Sequence, residues 1–137
     1  MKIMLDEGAF APVRAHLSDA GLDLRTPIEF DIPKGGNAVI DIGVHFELPK
    51  GTYGRIAGRS GLNVKHNIIC PDGIVDEDFR GSVVVKLYNL GEENYHFDRG
   101  DKIAQMIIEK CCQPEMEVVT ELTDTERGTE GFGSTGK

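Results

Sequence analysis

Two aspartates, two arginines, a serine and a glutamine stand in short runs that could do chemistry together. Asp23 lies in DAGLDL (19–24), Arg59 and Ser60 in GRSGL (58–62), and Asp76 in GIVDEDFRG (73–81). Gln105 closes RGDKIAQ (99–105), and Arg127 heads the C-terminal RGTEGFGSTGK. Carboxylates can position a metal ion or take a proton as a general base. Arginines, hydroxyls and glycine amides hold phosphate oxygens by charge-assisted hydrogen bonds and anion nests. Taken one at a time, each residue has a plainer reading. Asp23 and Asp76 suit turns, Arg59 a solvated surface, Gln105 the solvent face of a strand, and Phe79 the core. Residues 127–137 carry glycines at 128, 131, 133 and 136 and a single aromatic, Phe132. That is too little apolar surface to offset ordering entropy by burial. The composition fits a frayed terminus, or an arm that orders over an anionic ligand.

The elements that must position these residues read as strands. Residues 38–48 alternate with Val39, Ile40, Ile42, Val44, Phe46 and Leu48, residues 82–90 are rich in β-branched and aromatic types, and residues 102–109 are again apolar. Pro-Lys-Gly at 33–35 and 49–51 and Pro-Asp-Gly at 71–73 read as turns. Short strands punctuated this way predict an all-β sandwich or barrel. One short helix is expected from Ser60 to about Lys65, with Ser60 as its N-cap.

The chain of 137 residues suits one compact domain, and its 39% hydrophobic content is ordinary for a globular protein. The formal net charge of −8 argues against broad binding to nucleic acid, which needs a basic face. It leaves room for a small anionic ligand. Cys70, Cys111 and Cys112 show no CxxC spacing and share none with the four histidines, so reduced core cysteines are expected rather than zinc. With no signal-like start and no apolar run of membrane-spanning length, the expectation is a cytoplasmic protein with no membrane partner.

Three familiar patterns occur by count and fail on context. GxGxxG and GxxxxGK both fit residues 131–137, but each needs a helix after it. Asp76 to Gly81 opens like an EF-hand loop, yet its fifth position is Arg80 and its twelfth Leu87.

In their order and spacing, the five runs resemble the five sequence motifs of the trimeric dUTP diphosphatase (dUTPase) family. RSGL at 59–62 and GFGSTG at 131–136 are the most specific pieces. The resemblance implies a jelly-roll-like β-barrel or sandwich over residues 1–126 and a Gly-rich C-terminal arm over 127–137 that closes over the active site. It also implies a homotrimer with active sites shared between subunits, and Mg2+-dependent hydrolysis of dUTP to dUMP and pyrophosphate.

The resemblance assigns roles as well. Asp23 would hold Mg2+ through bound waters. Asp76 would hydrogen-bond the attacking water as general base and touch the sugar. Arg59, Ser60, Gly61 and Gln105 would contact phosphates, and Arg127, Ser134 and Thr135 would do so from the arm. Phe132, followed by Gly133, would stack on the uracil. The base would be read by backbone groups of a hairpin from about Asn67 to Gly73. Phe79 stands where many family members have tyrosine; it keeps the surface that packs on deoxyribose and loses the phenol. Cys70 stands where several relatives have asparagine, and Glu130 where glycine is common.

A related enzyme, dCTP deaminase, shares the fold, but its catalytic glutamate would fall at Lys86, and it lacks a GFGSTG arm. A non-catalytic module that binds dUTP or a partner protein is a different class. The intact set of Asp23, Ser60, Asp76, Gln105 and Arg127 argues against lost catalysis.

Overall fold

Alternating burial builds the sheets. The computed structural model of the protein describes residues 1–131, which hold eleven strands and one helix. The strands are β1 (Lys2–Leu5), β2 (Gly21–Arg25), β3 (Phe30–Ile32), β4 (Asn37–Asp41), β5 (Val44–Glu47), β6 (Thr52–Ala57), β7 (Ile68–Ile69), β8 (Gly73–Val75), β9 (Val84–Asn89), β10 (Tyr95–Phe97) and β11 (Lys102–Lys110), and the helix is α1 (Ser60–His66). Every pairing is antiparallel. One sheet runs β2-β11-β6-β8 and another β4-β9-β7, with two-stranded pairs β1-β5 and β10-β3. Their inward side chains meet in one cluster, including Leu24, Ile40, Phe46, Ile56, Val85, Leu87, Phe97 and Met106. The result is the expected all-β, jelly-roll-like fold with one short helix.

The two Pro-Lys-Gly turns form as expected. The Gly36 amide donates to the Pro33 carbonyl at 2.8 Å and the Thr52 amide to that of Pro49 at 3.2 Å. Gly35 (φ 70°) and Gly51 (φ 71°) take the left-handed position that such turns give to glycine.

Four expectations need correction. The apolar run 38–48 is two strands, because Gly43 (φ 65°) breaks it and donates its amide to Asp41 Oδ1 at 3.0 Å. Pro71 and Asp72 form no turn; the chain passes extended from β7, which pairs with β9, to β8, which pairs with β6. Residues 67–73 are therefore a crossing between sheets and not a hairpin. The N-cap of α1 is Arg59 (φ −95°, ψ 130°), with Ser60 already helical. The Arg59 guanidinium reaches back to Asp23 of β2 and to the Lys102 carbonyl of β11. The helix ends at His66 and is capped by Asn67 in the left-handed region (φ 54°).

Two polar side chains are buried among the described residues, Thr26 and Asn89, and Asn89 is fully partnered. Asn89, 1% exposed, donates to the carbonyls of Ile32 (2.9 Å) and Glu93 (2.8 Å) and accepts from the Gly91 amide (2.9 Å). It ties β9 to β3 and to the 90–94 loop. Asn89→Ala leaves three backbone groups without partners and should lower unfolding free energy by roughly 2–4 kcal/mol. Urea denaturation of the variant against the parent checks this; an unchanged midpoint would contradict it.

Candidate active site

A β-bulge sets the first half of the site. Register between β11 and β2 shifts between Lys102 and Ala104. Ile103 and Ala104 are both fully buried and belong to the core cluster, which the bulge allows on one face. Lys102 and Gln105, on either side of them, lie partly exposed beside Asp23, which pairs with Gln105 across the strands. Lys102 Nζ stands 2.6 Å from Asp23 Oδ2, and Arg59 Nε 3.2 Å from Asp23 Oδ1. Arg59 also donates to the Lys102 carbonyl at 3.2 Å. One carboxylate thus holds two cations, with its side chain 15% exposed.

Gln105 has a defined seat. Its Nε2 donates to the Gly58 carbonyl at 2.9 Å, tying β11 to the run that carries Arg59 and Ser60. The rest of its side chain lies across Gly21. A Cβ at Gly21 would fall 3.1 Å from Gln105 Cβ and well inside contact with its Oε1. Only glycine at 21 leaves that room.

Around these groups lie two depressions. Gly58, Arg59, Ser60, Asn63, Ile69 and Cys70 line one. Arg25, Arg59, Leu62, Tyr95, Asp101 and Lys102 help line the other. Gly61 is exposed in the first turn of α1. The Cys70 thiol is pushed up to about 11, first by burial and then by Asp72, so it is a protonated wall group; Cys111 and Cys112 are exposed and not the core residues expected. Lys102 and Arg25 had drawn no role from the sequence. Their signal was their place beside Asp23 and in the RGDKIAQ run.

Asp76 lies elsewhere. It follows β8 and shares an exposed depression with Thr52, Tyr53, Glu77, Asp78 and Cys111. Val75 pairs with Gly54, whereas Arg59 and Ser60 follow the far end of β6. At about 3.3 Å per residue, the length of β6 puts roughly 16 Å between Asp76 and Gly58 of one chain. Phe79 is 45% exposed, not a core residue, and its ring folds over Gly81. Asn67 caps α1 and lies in a separate depression with His66 and Glu93. Arg127 is exposed and donates to the Glu130 carbonyl at 2.9 Å. Phe132, Gly133, Ser134 and Thr135 lie outside the described residues. Among the described residues no three His, Cys, Asp or Glu side chains cluster as metal ligands.

The sequence model of the dUTPase family matches residues 8–136. The chain belongs to the dUTPase family. It is 48% identical over 133 residues to the human mitochondrial deoxyuridine 5'-triphosphate nucleotidohydrolase, covering 97% of this chain and 53% of that one. With the mouse protein of the same activity name, identity is 45% over 135 residues, covering 98% and 83%. The chain thus spans about half the length of the human relative. Among solved structures, a Staphylococcus bacteriophage 80alpha dUTPase with dUpNHpp matches with a TM-score of 0.92 and 25% identity, covering 99% of this chain and 98% of the other. A phage phi11 dUTPase variant, described with a structural Mg(II) ion, matches with a TM-score of 0.82 and 25% identity, covering 88% and 96%.

The dUTPase fold therefore carries Asp23, Lys102, Arg59 and Gln105 on one face. Gly21→Ala should push Gln105 off the Gly58 carbonyl and cost roughly 1–3 kcal/mol of stability. Gln105→Ala in the same chain removes the clash with Oε1 and leaves only the tight approach to Cβ, so the double variant should lose clearly less than the sum of the two single losses. A double-mutant cycle by denaturant unfolding measures this. Additive losses would break the link between the two residues.

Proposed function

We propose that the protein hydrolyses dUTP to dUMP and pyrophosphate by attack of water on the α-phosphorus. The observation that carries this reading is the Asp23–Lys102–Arg59 group beside Gln105 in a chain of the dUTPase family. A triphosphate brings roughly three to four negative charges, so charge neutralisation dominates the task. Lys102 and Arg59 are charged donors next to Gln105, and Ser60 adds an exposed hydroxyl. Together with Gly61 they make up the phosphate-binding face in this reading.

The reading includes Mg2+. Asp23 suits it, since a carboxylate has about four lone-pair sites and only two face the cations. Mg2+ keeps most of its waters and takes oxygens from substrate phosphates, so one carboxylate reached through water is enough. When bound, it supplies further neutralisation of the triphosphate. Asp76 is the proposed base, accepting a proton from the attacking water. Phe79 offers the ring that packs on the sugar, and the 67–73 crossing, from Asn67 to Gly73, offers backbone groups to the uracil. Arg127, Phe132, Gly133, Ser134 and Thr135 belong to an arm, 127–137, that closes over the ligand after the body, 1–126, has bound it.

We infer further that the enzyme is a homotrimer with shared sites. The separation of Asp76 from Arg59 along β6 supports this, because a general base must lie within hydrogen-bond reach of the reacting group, directly or through one water. Asp76 of one chain must then serve phosphates held by another. Residues 111–131 are exposed throughout, and Met116, Val118 and Leu122 are 96%, 99% and 88% exposed. Apolar side chains left this bare call for a neighbouring surface. The acidic balance, −8, supports a reading without nucleic acid. No helix among the described residues is long and apolar enough to cross a membrane. The three free cysteines suit a reducing compartment, and we place the protein in the cytoplasm.

Pyrophosphate release should be fast with dUTP and Mg2+, and slow with dCTP, dTTP or UTP or without the metal. Equal rates on all four nucleotides would overturn the reading. Asp76→Asn should bind dUTP normally and lose at least about 100-fold in kcat, in keeping with a lost general base. Sharing of sites has its own check. Asp76→Asn and Arg59→Ala variants, each impaired alone, should regain part of the activity when unfolded and refolded together. Mixed assemblies would pair an intact Asp76 with an intact Arg59. No recovery in the mixture would argue that each chain works alone.

A further inference from the structure

The segment that carries Asp76 and Phe79 has no regular structure of its own, so other elements must hold it. It links β8 to β9 over residues 76–83. At its start, the Gly51 amide donates to Glu77 Oε2 at 2.5 Å. Within it, the Arg80 guanidinium donates to the carbonyls of Glu77 (2.8 Å) and Phe79 (2.9 Å). At its end, Ser82 Oγ donates to Asp41, which also accepts the Gly43 amide at 3.0 Å. The peptide between Phe79 and Ser82 is caught by one side chain from outside the segment. His45 Nδ1 lies 2.8 Å from the Arg80 carbonyl.

The chemistry of that contact has one solution. A carbonyl only accepts, so Nδ1 carries the proton. The other ring nitrogen, Nε2, lies 3.2 Å from Asp6 Oδ1, also an acceptor. His45 is thus gripped between the end of β1 and the Arg80 peptide, with its side chain 17% exposed. Its pKa is raised above the ordinary imidazole value, chiefly by the Arg80 carbonyl. His45 sits in β5, opposite Met4 of β1, and in none of the five family runs. Its bond holds the Arg80–Gly81 peptide, and Gly81 is the residue on which the Phe79 ring rests.

We propose that His45 is a positioning residue for sugar discrimination, holding the Phe79 ring in place through the Arg80 carbonyl. This rests on the reading of the protein as a dUTP hydrolase in which Phe79 packs on deoxyribose. Without the bond the 79–82 segment relaxes, the ring gains freedom, and a 2′-hydroxyl is excluded less well. Binding of the triphosphate itself is untouched, since its face belongs to β2, β11 and the β6–α1 connection.

The test compares His45→Leu with His45→Asn, whose side-chain amide can donate near the place of Nδ1. Two quantities are read: the ratio of kcat/KM for dUTP to that for UTP, and amide hydrogen exchange of residues 79–82 in the whole protein. His45→Leu should lower the ratio roughly 5- to 10-fold, the worth of one such hydrogen bond. It should also speed exchange in 79–82, with β6 and β11 unchanged. His45→Asn should restore both to within about 2-fold of the parent. An unchanged ratio and unchanged exchange in His45→Leu would overturn the proposal. So would faster exchange across the whole fold with no rescue by asparagine, since that marks general destabilisation. If the parent does not hydrolyse dUTP, the functional reading fails by itself, and the exchange comparison still decides whether His45 anchors the segment.

Discussion

Two neighbouring side chains of β11, Ile103 and Ala104, both point into the core, and the site follows from that irregularity. In a regular strand alternate residues face opposite sides. The bulge between Lys102 and Ala104 spends one residue to reset that alternation. Lys102 and Gln105 thereby come to the same side as Asp23, while the apolar residues between them fill the core. The ammonium of Lys102 reaches Asp23 because of the bulge, and Gln105 reaches Gly58 because Gly21 leaves it space. Arg59 then closes on Asp23 from the β6–α1 connection. Four polar groups from three elements are fixed by one local shift of register.

The same sheet keeps opposite charges apart. One end of β6 meets Asp76, Glu77 and Asp78, and the other meets Arg59 and, through it, Lys102. An acidic tip is a poor place for a triphosphate, and a cationic face is a poor place for a base that must stay free to accept a proton. A single chain satisfies both demands by distance, at the cost of being unable to bring the two groups to one phosphorus. In the proposed assembly the acidic tip of one copy meets the cationic face of another, and the ligand lies between them. The exposed apolar residues of the 111–131 segment point to the same need for a neighbour.

Much of this was legible in the sequence, for identifiable reasons. Strand positions followed from alternation, and the Pro-Lys-Gly turns from the left-handed backbone that glycine permits. The bulge was not legible, because a run such as Ile-Ala-Gln-Met-Ile-Ile reads only as apolar, and its register depends on partners far away in the chain. Pro-Asp-Gly at 71–73 misled because turn residues also suit an extended crossing between sheets. Ser60 looked like an N-cap by type, but Arg59, held by Asp23 and the Lys102 carbonyl, took that backbone position. Asp23, Arg59 and Gln105 were singled out by their runs, and the fold brings them together. Lys102 was not, since a lysine within an apolar stretch is ordinarily a solvated stem.

Phe79 connects the fold's economy to its proposed selectivity. At 45% exposure its ring leaves apolar surface in water, and covering the remainder is worth on the order of 1 kcal/mol. A sugar laid against the ring recovers that energy only if the ring is already at the right angle. A freely rotating ring would first lose side-chain entropy of comparable size. In the proposal, packing on Gly81 and the His45 bond to the Arg80 carbonyl remove that freedom before any ligand arrives. Preorganisation of this kind acts on discrimination more than on affinity. A fixed ring excludes an added hydroxyl by shape, whereas a mobile one yields to it.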